Sequence, residues 1–403
     1  MKAIPSGVDH SGRPEILHVL PHFRPAFGFG GPDFTSDIVT TALSQIGYRV
    51  TVWTTDVRGP DGTRISGLSD SSEGVKIMRY RYVSKSLYRF SNLLLSPGML
   101  IDALTAAARP DLVHLHDFRS FQAAAAHVLC TRQHIPLLLQ PHGTLRILGG
   151  KDRLKTAYDA ILGTRLAKRA ARILVLSESE AADCSFFGIT KEKIALIPNG
   201  VPLPTQQVLL ERGRFRREYG IGKDAFVILF MGRIRESKGV FLLVNAMEML
   251  TKVIPNALLV MCGPDDGAMK QVRLMAVEKG VRLLLPGLVT GKKKAEAFVD
   301  ADVFCLPSFF EMQSVALLEA ASFELPIVAS PDNVPKEFLT AQAGMFVKLE
   351  PSSLSECLLY LANSDSARKE LGRRSKATVE KHFRIDRVVE ELNKLYSEVL
   401  ENG

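Results

Sequence analysis

The sequence predicts an α/β protein made of two doubly wound parallel-sheet domains that face each other across a cleft. Its 403 residues exceed what one hydrophobic core normally organises, so two domains are expected. Short apolar runs alternate with amphipathic or alanine-rich segments, as in a parallel sheet covered by helices on both faces. The alternation stops at a segment rich in proline and glycine and then begins again. We therefore place the domains at residues 1–203 and 204–383.

The apolar runs are the predicted strands. In the first domain they span residues 16–20, 50–54, 112–115, 137–140, 173–176 and 194–197. In the second domain they span residues 226–230, 258–261, 281–285, 303–306, 327–329 and 345–347. The intervening IPNGVPLPTQQ breaks any regular element and indicates a hinge. The last segment predicts a helix with apolar residues at spacings of three and four: Val388, Leu392, Leu395 and Val399.

Composition narrows the class of protein. Hydrophobic residues make up 46% of the chain and charged residues 23%, which is an ordinary globular balance. No run reaches about 18 uninterrupted apolar residues, and the beginning of the chain does not form a convincing signal peptide, so we expect a cytoplasmic protein. The five cysteines lie far apart without a CxxC pair, which favours reduced core thiols over a zinc site.

The net charge of +8 is concentrated in the first half of the chain. Residues 1–200 hold 24 Lys and Arg against 17 Asp and Glu, an excess of 7. This asymmetry predicts an anionic partner for the first domain. Because the basic and aromatic residues form no recognisable RNA- or DNA-binding motif, nucleic acid is not expected, and an anionic membrane surface or a phosphorylated acceptor fits better.

A glycine-rich loop follows the first predicted strand. Gly28, Gly30 and Gly31 precede a predicted helix. Glycines let the backbone approach an anion, and the helix N-terminus offers free N–H groups. Because Asp33 occupies the place of a third glycine, the loop is not a dinucleotide fingerprint. It indicates either a phosphate or sugar contact, or an ordinary tight turn.

Two cations follow the first strand of the second domain, in FMGRIRESKG. Arg233 and Lys238 are predicted at the carboxyl end of that strand, where doubly wound sheets bind ligands. Arginine supplies a bidentate fork and lysine a point charge, so the pair suits a diphosphate. The alternative is a solvated basic loop with Arg235 as a third member.

Two glutamates form the third motif. Glu311 is predicted in the loop after strand 303–306, and Glu319 in a helix that Ser314 caps. A loop carboxylate can accept hydrogen bonds from sugar hydroxyls and the helical one from a ribose diol, while the helix N-terminus between them faces phosphates. Apolar neighbours argue against the alternative, two surface glutamates on an amphipathic helix. The residues assigned here to substrate binding are Glu311, Gln313, Ser314, Val315 and Glu319.

With these motifs the sequence resembles the retaining GT-B glycosyltransferases of family 4, the group 1 glycosyltransferases. The resemblance covers nearly the whole chain. In the first domain it is carried by DIVTTALSQIGYRVTVWTTD, DLVHLHDF, PHG and ILVLSESEAADCSFFGITKEKIALIPNGV. In the second it is carried by GRIRESKG, ADVFCLPSFFE and ALLEA, with the glutamates spaced as in the E-x7-E signature. It implies two Rossmann-like domains, with the helix at 384–403 packed back on the first.

The resemblance also implies catalytic roles in the second domain. Arg233 and Lys238 would neutralise the leaving diphosphate in place of a divalent metal, Glu319 would hold the ribose, and Glu311 would contact the donor sugar. The leaving phosphate oxygen would take the acceptor's proton on the front face, so that the anomeric configuration is retained. The DxD string at residues 300–302 aligns with the entry to a strand. We therefore expect no metal and no other cofactor.

In the first domain, the resemblance places His142 of QPHGTLR near the 6-position of the donor sugar, as a catalytic residue. A structural, hydrogen-bonded histidine is the alternative. The remaining residues assigned to substrate binding are Gly30, Gly31 and Asn199.

The chain departs from the family pattern near the expected diphosphate. Met312, Gln313 and Ser314 stand where the family usually has Gly-Phe-Gly, so this turn is expected to be of a different type or strained. Other departures replace an aspartate, two glycines and a glutamate; they are Pro202, Glu324, Asn333 and Lys336.

Basic residues are frequent after PHG and in YRYVSKSLYRFSNLLL. They would attract an acceptor carried on a polyprenyl diphosphate at an anionic membrane, which would place the protein at the inner face of the plasma membrane. The solvated face of a helix explains them equally well. The run after PHG consists of Arg146, Lys151, Arg153, Lys155, Arg165, Lys168, Arg169 and Arg172.

We therefore predict a glycosyltransferase that moves a sugar from a nucleotide diphosphate to a saccharide or lipid-linked acceptor in polysaccharide or glycoconjugate assembly. A UDP-sugar is favoured and a GDP-sugar is possible. Two alternatives remain open. One is a nucleotide-sugar enzyme like UDP-N-acetylglucosamine 2-epimerase, and the other is a catalytically silent nucleotide-sugar-binding subunit with an altered turn at residues 312–314.

Overall fold

The computed structural model describes residues 13–91, 93–105, 108–145, 152–209 and 212–402. These residues form two compact units. One comprises the described residues up to Asn199 together with those from Ile385 onward, and the other is Gly200–Arg384. The first boundary therefore lies after Asn199 rather than after residue 203. Each unit is built around one sheet of mainly parallel strands, which confirms the predicted α/β fold class.

The sheet of the first unit has eight strands. They are β1 (Glu15–Val19), β2 (Arg49–Thr55), β3 (Ser69–Ser72), β4 (Val75–Tyr80), β5 (Leu112–His116), β6 (Leu137–Gln140), β7 (Arg172–Val175) and β8 (Ile194–Leu196). Their order is β3-β4-β2-β1-β5-β6-β7-β8, and every neighbouring pair is parallel except the antiparallel β3–β4. The prediction lacked β3 and β4, because SDSS is polar and VKIMRY is not a continuous apolar run.

Helices flank this sheet. They are α1 (Gly31–Gln45), α2 (Lys85–Ser91), α3 (Pro97–Thr105), α4 (Phe121–Gln133), α5 (Asp152–Tyr158), α6 (Thr164–Arg169) and α7 (Glu178–Asp183). A π-helical turn, Asp159–Gly163, joins α5 to α6, and two 3-10 turns, Cys184–Phe187 and Lys191–Lys193, follow α7. Successive side chains of a strand point to opposite faces, so the sheet has one apolar cluster on each side.

The sheet of the second unit has six strands, all parallel to their neighbours. They are β9 (Phe226–Met231), β10 (Ala257–Cys262), β11 (Leu283–Gly287), β12 (Val303–Leu306), β13 (Ile327–Ala329) and β14 (Met345–Phe346). The order is β11-β10-β9-β12-β13-β14, so the sheet is doubly wound with its switch between β9 and β12. All six correspond to predicted strands.

Nine helices belong to the described part of this second unit. They are α8 (Gln206–Leu209), α9 (Arg214–Glu218), α10 (Val240–Thr251), α11 (Met269–Glu278), α12 (Gly291–Asp300), α13 (Val315–Ser322), α14 (Lys336–Thr340), α15 (Pro351–Asn363) and α16 (Asp365–His382). Two 3-10 turns, Glu236–Lys238 and Pro331–Asn333, follow β9 and β13. Both turns lie at carboxyl ends of strands, where the candidate site is found.

The last helix, α17 (Ile385–Glu401), belongs to the first unit. Its apolar side packs beside α1 in the cluster that covers one face of the sheet. Tyr48 Oη donates a hydrogen bond to Asn393 Oδ1 at 2.8 Å. The residues of α17 that are buried in this way are Val388, Val389, Leu392, Leu395, Tyr396 and Val399.

Among the described residues, no helix combines the length and the apolar character that crossing a lipid bilayer requires. All five cysteines are buried free thiols.

Candidate active site

In the second unit, the turn after β9 and the loop after β12 bring together two residues of the predicted site. Lys238 ends the 3-10 turn Glu236–Lys238, and its Nζ contacts Glu311 Oε1. Ser308 Oγ donates to the same carboxylate oxygen at 3.0 Å. The Lys238 and Glu311 side chains are about 20% and 11% exposed, so the ion pair is partly shielded from water.

The backbone holds these two segments against each other. Gly239 follows Lys238 at a φ of 69°, and a Cβ there would lie 2.0 Å from the carbonyl oxygen of Pro307. Only glycine permits this approach. Next to it, the Phe309 N–H donates to the Ser237 carbonyl at 3.0 Å. The position of the Lys238–Glu311 pair is therefore set by main-chain packing.

A buried amide fixes the Glu311 loop from its other side. Asn333 ends the 3-10 turn Pro331–Asn333, and its Oδ1 accepts the Glu311 N–H at 2.9 Å. Its Nδ2 donates to the Ser308 carbonyl at 2.6 Å. The sequence marked Asn333 only as a departure from the family pattern. In the structure this departure supplies both a donor and an acceptor to the loop that carries Glu311.

The other predicted cation has a different partner. Arg233 NH1 lies 3.2 Å from Asp266 Oδ2, and Arg235 NH1 lies 3.5 Å from the same oxygen. The Arg233 side chain is about 38% exposed. Arg233 therefore shares a loop with Lys238, while its ion pair with Asp266 links that loop to the one after β10.

Glu319 lies on α13 and forms an ion pair with Lys294 of α12. Both side chains are largely buried, at about 13% and 14% exposure. Sequence reasoning missed Lys294, because its partner is distant in the chain and it stands in the ordinary-looking basic run GKKK. The carboxylate expected at a ribose is therefore held by a neighbouring ammonium group.

The turn before α13 adopts ordinary backbone angles. Ser314 caps the helix with a φ of −74°, and its Oγ accepts the Leu317 N–H at 3.3 Å. None of the residues 312–314 is among the non-glycine residues with positive φ. The turn is thus of a different type and is not strained there. Gln313 is buried beside it, and Val315 is the first residue of α13.

The DxD string has structural partners. Asp300 accepts the backbone N–H groups of Gly213 and Arg216 at the start of α9. Asp302 Oδ2 accepts the Val227 N–H at 2.8 Å and lies 2.9 Å from Arg216 NH2. These bonds tie α9 to the edge where β9 and β12 begin.

In the first unit, the glycine loop leads directly into α1. Gly30 precedes the helix at a φ of 138°, and Gly31 is its first residue. His22, which lies after β1, stacks on Phe29 with ring centroids 3.7 Å apart, and its Nδ1 lies 3.7 Å from Asp33 Oδ1. In the sequence His22 is a lone histidine after a predicted strand, a pattern that carries little functional signal.

His142 follows β6 in a left-handed conformation, with a φ of 51°. Such a conformation is costly outside glycine and is common at functional sites. The next residue, Gly143, donates its N–H to Glu180 Oε1, while Glu180 Oε2 accepts the Leu176 N–H at 2.8 Å. Burial raises the pKa of Glu180. This buried carboxyl group anchors the turn that carries His142.

His142 is half-buried and continues a cluster of three buried histidines, His18, His114 and His116. His142 Nε2 lies 3.0 Å from His116 Nδ1, and His116 Nε2 lies 2.9 Å from His18 Nδ1. His114 Nδ1 lies 2.7 Å from the hydroxyl of Tyr396 on α17. Burial lowers the pKa of His18 to about 3 and that of His142 to about 4. The pKa values of His114 and His116 are also far below 6.5, first through burial and then through the neighbouring imidazoles.

Three of these histidines could in principle hold a metal ion. Ligand atoms of His18, His114 and His116 lie within 4.8 Å of one another. However, the His116 ring lies nearly parallel to both of the others, at interplanar angles of 20° and 22°. Both His116 nitrogens also face other imidazoles at hydrogen-bond distance. The arrangement suits a hydrogen-bonded chain of neutral rings better than a metal ion.

The structure also gives the burial or the partners of some other residues that the sequence analysis named. Asn199 is buried at the end of the first unit's main segment. In the basic run, Arg172 pairs with Glu398 of α17, and Arg169 donates to the Cys130 carbonyl. Arg146 and Lys151 lie outside the described residues.

Comparisons with known proteins agree with this architecture. A family model described as Glycosyltransferase Family 4 matches residues 30–204, and one described as Glycosyl transferases group 1 matches residues 211–378. The D-inositol 3-phosphate glycosyltransferase of Kineococcus radiotolerans is 26% identical over 338 residues, which cover 78% of this chain and 76% of that protein.

Two solved structures share the fold. Sucrose-phosphate synthase from Thermosynechococcus elongatus superposes with a TM-score of 0.78 at 18% identity, covering 97% of this chain and all of that one. Anabaena HepE in complex with UDP and glucose has a TM-score of 0.73 at 14% identity, covering 96% of this chain and all of that one. At such identities they bear on the fold alone. With a family model matched to each half and a relative aligned over 78% of it, the chain belongs to the group 1, family 4 glycosyltransferases and has their GT-B fold.

Proposed function

We propose that the protein is a retaining, metal-independent glycosyltransferase that transfers a sugar from a UDP-sugar to a saccharide or lipid-linked acceptor in glycoconjugate assembly. The observation that supports it is the contact between Lys238 and Glu311, on adjacent segments after β9 and β12. These strands flank the switch point of the sheet, where open α/β sheets bind ligands. Arg233 lies on the same loop as Lys238.

The chemistry follows from the charges at this edge. As the bond between the sugar's anomeric carbon and the phosphate oxygen breaks, negative charge develops on the leaving diphosphate. Lys238 and Arg233 would stabilise this charge, the role that a divalent metal has in other transferases. The acceptor hydroxyl would attack the anomeric carbon on the same face and pass its proton to the leaving phosphate oxygen. Glu311 would orient the sugar, and Glu319, held by Lys294, would accept the ribose hydroxyls.

Two considerations favour particular substrates. A UDP donor is favoured because Anabaena HepE, which shares the fold, was solved with UDP and glucose. A phosphorylated or otherwise anionic acceptor is favoured by the positive excess of the first 200 residues and by the Kineococcus relative, named for inositol 3-phosphate. Association with an anionic membrane would suit the same charge.

The first experiment measures UDP affinity by titration calorimetry. Lys238→Ala and Arg233→Ala should each weaken binding by about tenfold to a hundredfold, since a hydrogen bond to a charged group contributes about 1.5–3 kcal/mol. Arg235→Ala is the matched control, because Arg235 lies on the same loop and shares Asp266 with Arg233. Unchanged affinity in both Lys238→Ala and Arg233→Ala would contradict the proposed diphosphate site.

A second experiment separates the competing activities. A panel of UDP- and GDP-sugars is first screened by thermal stabilisation to find the donor. Transfer is then followed by nuclear magnetic resonance, with and without EDTA. We expect the anomeric configuration to be retained and the rate to be unaffected by the chelator. Turnover of UDP-N-acetylglucosamine without any acceptor would instead identify an epimerase. Unchanged turnover in Glu311→Ala would exclude the assigned role of Glu311.

A further inference from the structure

The turn after β6 carries His142 in a strained backbone conformation. The Thr144 N–H donates to the Pro141 carbonyl at 3.0 Å, which closes a four-residue turn. Its two central residues, His142 and Gly143, have φ values of 51° and 81°. Positive φ at both central positions is typical of a type I′ turn, which asparagine, aspartate and glycine usually occupy. The left-handed conformation of a residue with a Cβ is disfavoured by about fivefold to thirtyfold, so other contacts must hold His142 in it.

A buried carboxylate holds this turn from one side. Glu180, fully buried near the start of α7, accepts the Gly143 N–H with Oε1 and the Leu176 N–H with Oε2, the second at 2.8 Å. The Glu180 N–H donates to Ser177 Oγ at 3.2 Å, at the N-cap of α7. The corner between β7 and α7 therefore fixes the carboxylate. In a glutamine one of its two oxygens would be an NH₂ group, which cannot accept a hydrogen bond.

A guanidinium group holds the turn from the other side. Arg119 follows β5, and its NH1 and NH2 donate to the carbonyl oxygens of Thr144 and Leu145, the second at 2.9 Å. Nε and NH2 of the same group form a bidentate ion pair with Asp159, at 2.9 and 2.6 Å. Such a pair fixes the orientation of the guanidinium plane. The Arg119 and Asp159 side chains are about 10% and 15% exposed, so the pair is largely shielded from water.

The end of β5 is strained in the same way. Asp117 has a φ of 78°, and its N–H donates to the Gln140 carbonyl of β6 at 3.0 Å. Because β5 and β6 are neighbours in the sheet, the left-handed residues Asp117 and His142 lie at adjacent strand ends. Arg119 joins the two segments that contain them. Backbone strain of this kind persists only where the surrounding structure over-determines it, and it is concentrated at functional sites.

We infer that Arg119 and Glu180 are positioning residues, which clamp the turn at residues 141–145 and so hold His142 in the conformation that transfer requires. Each acts on the main chain of the turn, so neither has to touch a substrate. The inference rests on the proposed function only for the reaction, in which His142 is the predicted catalytic residue of the first unit. The clamp itself needs no substrate to form.

A double-mutant cycle on kcat tests the role in transfer. Glu180→Gln should lower kcat by about fivefold to thirtyfold, the factor by which the left-handed conformation is disfavoured. In a His142→Ala background the same change should have little effect, because it acts through His142. UDP affinity, measured by calorimetry, should be unchanged in both backgrounds. Glu178→Gln, at the exposed first residue of α7, is the matched control.

Amide hydrogen exchange tests the clamp without substrate. On the full chain, mass spectrometry of peptides spanning residues 141–145 follows the Gly143 and Thr144 amides. These should exchange about fivefold to thirtyfold faster in Glu180→Gln, because the turn opens more often. They should also exchange faster in Arg119→Lys, since an ammonium group lacks the planar fork that reaches Asp159 and the turn together. Arg119→Lys takes the place of Glu180→Gln in both experiments where the latter does not fold.

The outcomes that would overturn the inference are distinct. Equal losses of kcat for Glu180→Gln in the parent and in His142→Ala would show that Glu180 acts only on stability. Unchanged exchange at the turn in both variants would exclude the clamp. Unchanged kcat in His142→Ala would exclude the route through His142, whereas weaker UDP binding in Lys238→Ala would still support the diphosphate site. The proposed function fails separately, if the parent transfers no sugar from any donor, and faster exchange in the variants would then still support the clamp.

Discussion

Asn333 shows how one buried side chain can hold a loop that carries a predicted site residue. Its amide joins the Ser308 carbonyl and the Glu311 N–H, two groups that otherwise lie in a short irregular loop. The Lys238 contact depends on where that loop puts Glu311. Asn333 is therefore best described as a positioning residue for the second unit.

Asn333→Ala should lower kcat/KM for the donor by roughly tenfold, since both hydrogen bonds to the loop are lost and each contributes about 1 kcal/mol. UDP affinity should fall less than in Lys238→Ala. Steady-state kinetics, followed by UDP release, and calorimetry measure the two effects. Asn256→Ala, at an exposed turn asparagine, is the control. Equal kcat/KM in Asn333→Ala and the control would show that the loop keeps its position without the amide.

Glu324 carries backbone strain where the family usually has glycine. Its φ is 65°, and its carboxylate forms an exposed ion pair with Lys376 at 3.1 Å. The left-handed conformation costs a residue with a Cβ roughly 1–2 kcal/mol. Part of this cost is offset because glycine also loses more chain entropy on folding.

Comparing Glu324→Gly with Glu324→Ala isolates this strain, because both variants lose the ion pair equally. The glycine variant should be more stable by about 1 kcal/mol. Urea unfolding followed by circular dichroism provides the free energies of unfolding. Equal stability of the two variants would mean that the left-handed conformation carries no cost at this position.

At the scale of elements, α17 belongs to the first unit although it follows the whole second unit in the chain. Its apolar face could be predicted from the spacing of its apolar residues. That this face packs on the first domain was predicted only from the family resemblance. Leu392 is buried in the cluster that also contains Val39 and Leu43 of α1. The helix thus contributes a layer of core to the first sheet.

Leu392→Ala should destabilise the first unit by about 2–5 kcal/mol, as large-to-small changes in a packed core do. The chain has one tryptophan, Trp53, which is fully buried in β2, so its fluorescence reports on this unit. Lys394→Ala, at an exposed position on the same helix, controls for helix propensity. A Trp53 unfolding midpoint that is equal in both variants would place α17 outside the cooperative unit.

The elements also show what the sequence could and could not predict. Buried parallel strands such as β6 and β12 are continuous apolar runs, and their bounds were predicted without error. The β3–β4 hairpin was missed, because one strand is polar and the other alternates. Lys238 and Glu311 were each predicted in a loop after a strand, β9 or β12, but their direct contact was not predicted. The roles of Asn333, Lys294 and Glu180 depend on partners distant in sequence, which no local pattern reveals.

At the scale of the whole molecule, the stability of the two units should depend differently on pH. The second unit holds a single histidine of the nine in the chain, His382, whereas the first buries a cluster of them. Burial lowers the pKa of His18 to about 3 and that of His142 to about 4. Below pH 6.5 the unfolded chain therefore binds protons that the folded first unit does not.

The lowered histidine pKa values determine how the stability of the first unit changes with pH. Where the unfolded state binds more protons, stability rises with pH, so the first unit should lose stability as pH falls from about 6.5 towards the folded pKa values. Each buried histidine adds at most about 1.4 kcal/mol per pH unit to the slope. Burial also raises the pKa values of Asp37, Asp117 and Glu180, whose folded forms retain protons, and this offsets part of the loss in more acidic solution. The pKa values of four histidines are lowered and those of three carboxyl groups are raised, so the histidine effect should dominate as the pH first falls below 6.5.

Urea unfolding at pH 7 and pH 5 tests this difference within one molecule. Trp53 fluorescence follows the first unit, and far-ultraviolet circular dichroism follows both units together. The fluorescence midpoint should fall markedly between the two pH values, while the part of the circular dichroism change that does not follow the fluorescence, which comes from the second unit, should move less. Adding UDP should raise the midpoint of only that second-unit part, because a ligand stabilises the unit that binds it. A Trp53 midpoint that stays constant from pH 7 to pH 5 would mean that the imidazole cluster becomes protonated without unfolding, and the four rings would then have to be accessible to water.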